Sequence, residues 1–254
     1  MYILEDVIAE DLFLYLPKYK IFIISDVHIG YEESLNRSGI LIPKNSYDDL
    51  FLRLEKALEN IKKKYFIEKI VLNGDLIHEF GKISRKEKHL TNKFIDFLSI
   101  YGNIILIEGN HDKALKYIID KSKNIPIHKH LVVSDILITH GDILPNKKLL
   151  TNIKTIIIGH EHPAVGIKSN SRLEKFKCFL KGKYLKKNII VMPSCNLSTE
   201  GTDVLREKIL SPYFNSSNVL NFEAYIVGDK LYDFGKLKNV LKWLNIVIYL
   251  WKSF

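Results

Sequence analysis

The chain has 254 residues and a formal net charge of +9, with 38 Lys and Arg residues against 29 Asp and Glu residues. This length can bury one full-sized core, and no Pro/Gly/Ser-rich linker or internal repeat divides it, so we expect a single domain over residues 1–254. The positive charge favours phosphate-bearing partners, although a lysine-rich surface is equally typical of heat-adapted proteins. Cys178 and Cys195 lack a metal-site or disulfide-framework spacing, which indicates a reducing compartment.

The sequence indicates neither a signal peptide nor a membrane span. The N-terminal region is acidic, with Glu5, Asp6, Glu10 and Asp11, and no basic stretch precedes an apolar one. The most apolar segment, residues 243–251, is too short to cross a bilayer, so we expect a final strand or helix there, against the core or a partner subunit. We therefore predict a cytoplasmic protein without a membrane partner, and a homodimer is one candidate assembly.

The first half of the chain alternates apolar runs, typical of buried strands, with apolar residues at helical spacing. Strands are predicted at residues 2–8, 12–15, 21–24, 69–72 and 104–107. Helices are predicted at residues 31–38, from Asn45 or Ser46 to about Lys64, at 86–100 and at 113–120.

The second half is mostly β-structure. Strands are predicted at residues 125–128, 131–133, 136–139, 155–158, 176–180, 188–192, 219–227 and 230–234. This order predicts an α/β fold in which helices flank two packed mixed β-sheets.

Side chains that bind metals follow five of these strands. They are Asp26 with His28, Asp75, Asn110 with His111, His140, and His160 with His162. Each group alone is weak evidence, but ligands bind at the carboxyl ends of strands in open α/β sheets. Because the groups recur in order, each after an apolar run, they predict a metal site at that edge.

This series of motifs resembles the calcineurin-like metallophosphoesterases, whose pattern is D-x-H, G-D, G-N-H-D/E, H and G-H-x-H. The matching blocks are Asp26-Val27-His28, Gly74-Asp75, Gly109-Asn110-His111-Asp112, His140 and Gly159-His160-Glu161-His162. Residues 37–43 and 159–165 look most like the small SbcD-related phosphoesterases associated with bacterial DNA ligases, the PdeM type. The resemblance implies a sandwich of two mixed sheets, and we expect no separate DNA-capping domain of the kind that SbcD nucleases carry.

The resemblance also implies two divalent metal ions bridged by Asp75. One would be held by Asp26, His28, Asp75 and His162. The other would be held by Asp75, Asn110, His140 and His160. Mixed imidazole, carboxylate and amide ligands make Mn²⁺ the first choice, with Fe, Zn²⁺ or Ni²⁺ as alternatives.

The implied reaction is attack of a metal-bridging hydroxide on phosphorus. His111 is not needed as a ligand and would protonate the leaving oxygen. Asp112 would orient His111, although a role at a helix N-terminus is an equal alternative. Arg37 and His78 are candidate substrate contacts, with a solvated Arg and a supporting or surface His as the alternatives.

We expect a phosphodiesterase acting on nucleic acid, DNA or RNA, or on nucleotide-like diesters. A phosphomonoesterase, including a protein phosphatase, and a nucleic-acid-binding module without catalysis remain alternatives. The basic run at residues 168–187 could bind nucleic acid beside the active site or form an ordinary solvated hairpin.

Overall fold

The computed structural model describes residues 1–41, 46–78, 84–120, 123–169, 172–215 and 217–241. Within these ranges, sixteen strands form two mixed sheets that pack face to face with α-helices around them. The predicted α/β sandwich is therefore confirmed. The apolar segment 243–251, the alternative helix start at Asn45, and Pro43 lie outside the described ranges. None of the helices in these ranges is long and apolar enough to cross a membrane.

The first sheet contains seven described strands that neighbour one another in chain order. They are β1 (Tyr2–Leu4), β2 (Val7–Glu10), β3 (Phe13–Leu16), β4 (Ile21–Ile24), β5 (Lys69–Asn73), β6 (Asn103–Ile107) and β7 (Ile127–His128). Strands β1 to β4 are antiparallel, whereas β4 to β7 are parallel because helical connections return the chain to the same end of the sheet.

The helices are α1 (Tyr31–Arg37), α2 (Ser46–Lys62), α3 (Arg85–Ser99) and α4 (Leu115–Ile118). In α2, the apolar side chains that recur at helical spacing are buried: Leu50, Leu54, Ala57, Leu58 and Ile61. The side chain of Ser84 accepts a hydrogen bond from the backbone N–H of Glu87, which caps the start of α3. These two helices cover the outer face of the first sheet.

The second sheet contains nine described strands. They are β8 (His130–Val133), β9 (Ile136–Thr139), β10 (Thr155–Ile158), β11 (Pro163–Ser169), β12 (Arg172–Tyr184), β13 (Lys187–Val191), β14 (Thr202–Asp203), β15 (Glu223–Val227) and β16 (Leu231–Lys236). Strand β10 lies between β9 and β13 and is parallel to both. Strand β12 is long enough to pair with β11 through its first half and with β13 and β15 through its second half.

Apolar side chains from both sheets form one continuous layer between them. This layer includes Val7, Leu14, Ile23, Val71 and Ile107 from the first sheet, and Ile138, Ile157, Phe179, Ile190 and Met192 from the second. The central strands carry continuous apolar runs because their other faces are also covered, by the helices on one side and by a further apolar cluster on the other.

The carboxyl ends of the parallel strands from both sheets meet at one edge, which we call the carboxyl edge. Two backbone hydrogen bonds join the sheets there: the N–H of Cys195 donates to Ser25, and the N–H of Asn196 donates to Asp26. Within the second sheet, the N–H of Gly159 donates to the carbonyl of His140. All the predicted ligand loops therefore start from this edge.

Several predicted elements differ from the structure. The strand predicted at 2–8 is two antiparallel strands, β1 and β2. Strand β12 is much longer than the predicted 176–180, because charged side chains along it conceal the strand pattern, and β11 has no predicted counterpart. The helix predicted at 113–120 is a 3₁₀ turn, Asp112–Ala114, followed by the single turn of α4. The first part of the strand predicted at 219–227 is also a 3₁₀ turn, Val219–Asn221.

Candidate metal centre

The backbone at the carboxyl edge adopts conformations that are rare for residues other than glycine. Five of the seven predicted ligands have positive φ angles: Asp26 (55°), His28 (52°), Asp75 (48°), His160 (63°) and His162 (50°). Such left-handed conformations are uncommon for these residue types and are found most often where a site requires them. The strand ends are thus shaped to aim ligand side chains at a common point.

Two motif glycines are required by close contacts. A Cβ atom at Gly109 would overlap the backbone nitrogen and carboxylate of Asp75. A Cβ atom at Gly159 would overlap the side chains of Ser25 and Asp26. Both glycines therefore let one ligand loop approach the carboxylate of another, which explains their place in the G-N-H-D and G-H-x-H motifs.

One cluster of potential ligands contains Asp26, His28 and His162, whose ligand atoms all lie within 4.8 Å of one another. Nε2 of His162 is 3.1 Å from Oδ1 of Asp26 and 3.3 Å from Nε2 of His28. Asp26 and His28 are buried, while His162 is partly exposed. This cluster matches three of the four ligands implied for the first metal.

The second cluster contains Asp75, His140 and His160. Nε2 of His140 lies 3.3 Å from Oδ2 of Asp75 and 3.2 Å from Nδ1 of His160. Oδ1 of Asn110 is 3.0 Å from the same His140 nitrogen, so the fourth predicted ligand joins the group. Asp75 also reaches the first cluster, because its Oδ2 lies 3.7 Å from Nε2 of His28.

The charges of the cluster fit bound cations. Burial would raise the pKa of Asp26, but His162 and then His140 outweigh burial and hold that pKa well below its usual range. Burial lowers the pKa of His28 to about 3, so this imidazole is neutral at pH 7. Burial would lower the pKa of His140, but its contact with Asp75 and the charge of Asp26 outweigh burial and raise that pKa to about 9, so without a metal this imidazole carries a proton that a bound cation would displace. Carboxylates, imidazole nitrogens and an amide oxygen that converge on one point form a donor set suited to Mn²⁺, Fe²⁺ or Zn²⁺.

His111 lies beside this centre and is held by its backbone and its ring. Its N–H donates to Oδ1 of Asp75 at 2.9 Å, and its Nδ1 lies 2.8 Å from the carbonyl oxygen of His78. The ring stacks on that of His78, with centroids 5.4 Å apart, and meets the His28 ring edge-on. His111 is therefore placed next to the ligands while remaining partly exposed toward a substrate.

The predicted orientation of His111 by Asp112 needs correction. Both oxygens of the buried Asp112 carboxylate accept backbone hydrogen bonds, from Gly109 at 3.0 Å and from Ile77 at 3.2 Å. Asp112 thus joins the ends of two ligand loops, and burial raises its pKa to about 7. The described contact that orients the His111 ring is the carbonyl of His78.

The two candidate substrate contacts lie in different places. The His78 ring lies inside the cluster, with its Nδ1 3.5 Å from Nδ1 of His28. Arg37 is exposed at the last residue of α1, about 9 Å along the helix axis from Tyr31. The structure therefore brings His78 to the site but places Arg37 toward its periphery.

Sequence analysis overlooked Tyr31 and Lys177. The ring of Tyr31 meets the His78 ring edge-on, with centroids 4.7 Å apart. Lys177 donates to the carbonyls of Ser194 and Asn196, at 2.8 and 2.7 Å, beneath the loop that contacts Asp26. No motif marks either residue, although Tyr31 follows the D-x-H block closely.

Much of the basic run 168–187 lies away from the carboxyl edge. The register pairs Lys183 with Asn188, and Asn188 with Thr155, at the amino ends of β13 and β10. Strand β10 then runs about 10 Å before His160 follows it. Lys181 is also paired with Glu223, so an ordinary hairpin accounts for this part of the run.

Comparison with known proteins agrees with the geometry. The family model described as calcineurin-like phosphoesterase matches residues 19–192, and the chain belongs to this family. No curated protein matches the chain.

Two solved structures are similar to the chain at low sequence identity. A Pseudomonas putida nuclease MPE is 16% identical with a TM-score of 0.63, and the match covers 89% of this chain and 94% of that one. Vacuolar protein sorting 29 from Cryptosporidium parvum is 15% identical with a TM-score of 0.37, covering 85% of this chain and 97% of that one.

Proposed function

We propose that the protein is a metal-dependent phosphodiesterase that hydrolyses nucleic acid or nucleotide-like diesters, with Mn²⁺ as the preferred metal. Membership of the calcineurin-like phosphoesterase family indicates a hydrolase that acts on phosphoester bonds. The observation that carries the proposal is the pair of ligand clusters at the carboxyl edge, in which Asp75 of the second cluster lies 3.7 Å from His28 of the first. A nuclease with the same fold supports the choice of a diester as substrate.

The proposed centre holds two cations. Asp26, His28 and His162 would bind one, and Asn110, His140 and His160 the other, with Asp75 between them. When bound, the cations would polarise the phosphoryl group and offset the negative charge that develops in the transition state. Asp26 and Asp75 are both buried. Asp26 accepts a hydrogen bond from the backbone of the proposed ligand His160, and Asp75 accepts one from the backbone of His111, which lies beside the ligands.

His111 is the proposed general acid. Its Nδ1–H donates to the His78 carbonyl, which fixes the ring and leaves Nε2 to carry the transferable proton. Nε2 lies 3.9 Å from Oδ2 of Asp75, close to the clusters but outside both ligand sets implied above. A diester phosphate bound between the clusters would present its leaving oxygen to this nitrogen.

The test is metal-dependent hydrolysis of matched chromogenic substrates. Protein stripped with a chelator would be reconstituted with Mn²⁺, Zn²⁺ or Mg²⁺ and assayed on bis(p-nitrophenyl) phosphate and on p-nitrophenyl phosphate. We expect activity to return with Mn²⁺ and to be higher on the diester, with DNA or RNA oligonucleotides acting as competitors. Hydrolysis that does not depend on added metal, or that is faster on the monoester than on the diester, would contradict the proposal.

A further inference from the structure

A cavity of about 270 Å³ lies beside the candidate metal centre. It is enclosed by α1, the first turns of α2, part of α3 and the loop at residues 195–198. His28 and Tyr31 form part of its wall. A molecule in the cavity would therefore lie next to a proposed metal ligand and to the tyrosine that contacts His78.

The wall of the cavity is mainly apolar. Its apolar side chains are Val27, Ile29, Leu50, Leu90 and Leu197. The rings of Tyr31 and Tyr47 add flat surfaces. Glu32 and Glu33 also line the cavity, and Lys86 is the one Lys or Arg among the lining residues in the described ranges, so a phosphate group is disfavoured there.

Asn196 fixes the loop side of the cavity wall. The residue is 6% exposed. Its Oδ1 accepts from the N–H of Ser198 at 2.9 Å, and its own N–H donates to the carbonyl of Asp26, so the loop at residues 195–198 is held in place next to the metal centre.

From these features we infer that the cavity binds the nucleobase of a substrate nucleotide while the phosphate lies on the metal centre. The inference rests on the proposed function and names the part of the substrate that the chain recognises. A base is neutral and flat, so it can pack against the apolar side chains and tyrosine rings of this wall. The volume of about 270 Å³ lies just below the range of about 300–1,000 Å³ that is usual for small-molecule sites, so the occupant is a small group such as one base.

The first test compares two phosphates that differ by the base. Binding of adenosine 5′-monophosphate and of ribose 5-phosphate to the Mn²⁺-loaded protein would be measured by calorimetry. We expect the nucleotide to bind roughly 5- to 100-fold more tightly, the range that stacking of one base supplies. Equal affinities for the two phosphates would overturn the inference.

The second test fills the cavity. Leu90→Trp places a larger side chain in the wall, and Leu52→Trp makes the same change at a side chain that is 65% exposed on α2. We expect Leu90→Trp to bind the two phosphates with equal affinity and Leu52→Trp to keep the wild-type preference. If circular dichroism shows that Leu90→Trp does not fold, Asn36→Trp on α1 replaces it. A folded cavity variant that keeps the full preference would overturn the inference.

The two proposals fail in different ways. Hydrolysis of bis(p-nitrophenyl) phosphate by the wild-type protein tests the proposed function and needs no base. If that hydrolysis requires metal but the two phosphates bind equally, the base site alone is wrong. If no metal-dependent hydrolysis occurs, the proposed function is wrong.

Discussion

His111 lies next to both carboxylate-containing clusters without belonging to either, because its ring nitrogen groups with those of His28 and His78. Its ring is held by the His78 carbonyl and stacks on the His78 ring, while its backbone N–H contacts Asp75. Removing the ring would therefore remove a proton donor and leave the six side chains of the two clusters in place.

We expect His111→Ala to retain bound metal and to lose roughly 10²- to 10⁴-fold in rate on alkyl diesters, the usual contribution of a general acid. The loss on p-nitrophenyl diesters should be smaller, because this leaving group needs little protonation. Initial rates on both substrate types, with metal content by mass spectrometry, check the prediction. His89→Ala, an exposed histidine outside every motif, is the matched control. Equal losses on both substrates, or loss of metal, would contradict the role.

Functional residues could be predicted from the sequence where they directly follow a strand, but not where their contacts come from tertiary packing. The seven predicted ligands were recognisable because each follows a strand that ends at the carboxyl edge, where parallel strands bring distant segments together. The sequence does not reveal three other residues near the centre, Tyr31, Lys177 and Asn196. Their contacts depend on how α1, β12 and the loop after β13 pack in three dimensions. The partner of Asp112 was mistaken for the same reason: the sequence shows its neighbour His111 but not the N–H of Ile77.

At the scale of elements, β12 supports the loop that contacts the metal centre. Lys177 on this strand is partly buried and donates to two carbonyls of the loop that contacts Asp26. Burial lowers the pKa of its ammonium group to about 8. The ordinary pKa of a lysine in the unfolded chain is about 10.4. Between these values the unfolded chain binds more protons than the folded one, so the free energy of unfolding rises with pH.

We therefore expect the free energy of unfolding of the metal-free protein to gain a contribution from Lys177 between pH 8 and about 10.4. Lys177→Met should lack this gain, so the difference between wild type and variant should grow in favour of the wild type over that interval. Urea unfolding at several pH values measures it. Lys183→Met, at an exposed position of the same strand, should behave like the wild type. If the difference in free energy of unfolding between the wild type and Lys177→Met stays constant with pH, the lowered pKa of Lys177 is contradicted.

The same hairpin shows why element prediction was incomplete. Strands β4, β5, β6 and β10 were predicted nearly to the residue, because buried parallel strands are continuous apolar runs. Strand β12 carries Lys175, Lys177, Lys181 and Lys183 along its length, so the sequence shows charge where the structure has a strand. Some of these lysines form salt bridges with specific partners. Lys175, for example, pairs with Glu207.

At the scale of the whole molecule, the positive charge and the active site are partly separated. Lys183, Lys186 and Lys187 lie where β12 turns into β13, at the amino ends of the parallel strands. The proposed metals lie at the opposite, carboxyl edge. A substrate that spans the centre would therefore not need this turn.

Changing Lys183, Lys186 and Lys187 to Glu should leave both the hydrolysis of bis(p-nitrophenyl) phosphate and the competition by oligonucleotides near wild-type values. Inhibition constants measured over a range of salt concentrations check this, because each phosphate contact releases counterions and steepens the salt dependence. Weaker competition together with a shallower salt dependence would instead make the turn a nucleic-acid surface.

The two sheets together make the centre, since the first supplies Asp26, Asp75 and Asn110 and the second supplies His140, His160 and His162. The central claim is that Asp75 joins these halves through two cations. The most direct test measures Mn²⁺ bound per chain, by titration and mass spectrometry, alongside hydrolysis of bis(p-nitrophenyl) phosphate.

We predict two Mn²⁺ ions per wild-type chain, with activity that follows the second ion. The Asp75→Asn variant should fold, bind less metal and have no measurable activity, whereas Asp96→Asn, at an exposed position of α3, should match the wild type in both. Full activity with one ion or none, or wild-type metal content and turnover in Asp75→Asn, would contradict the account.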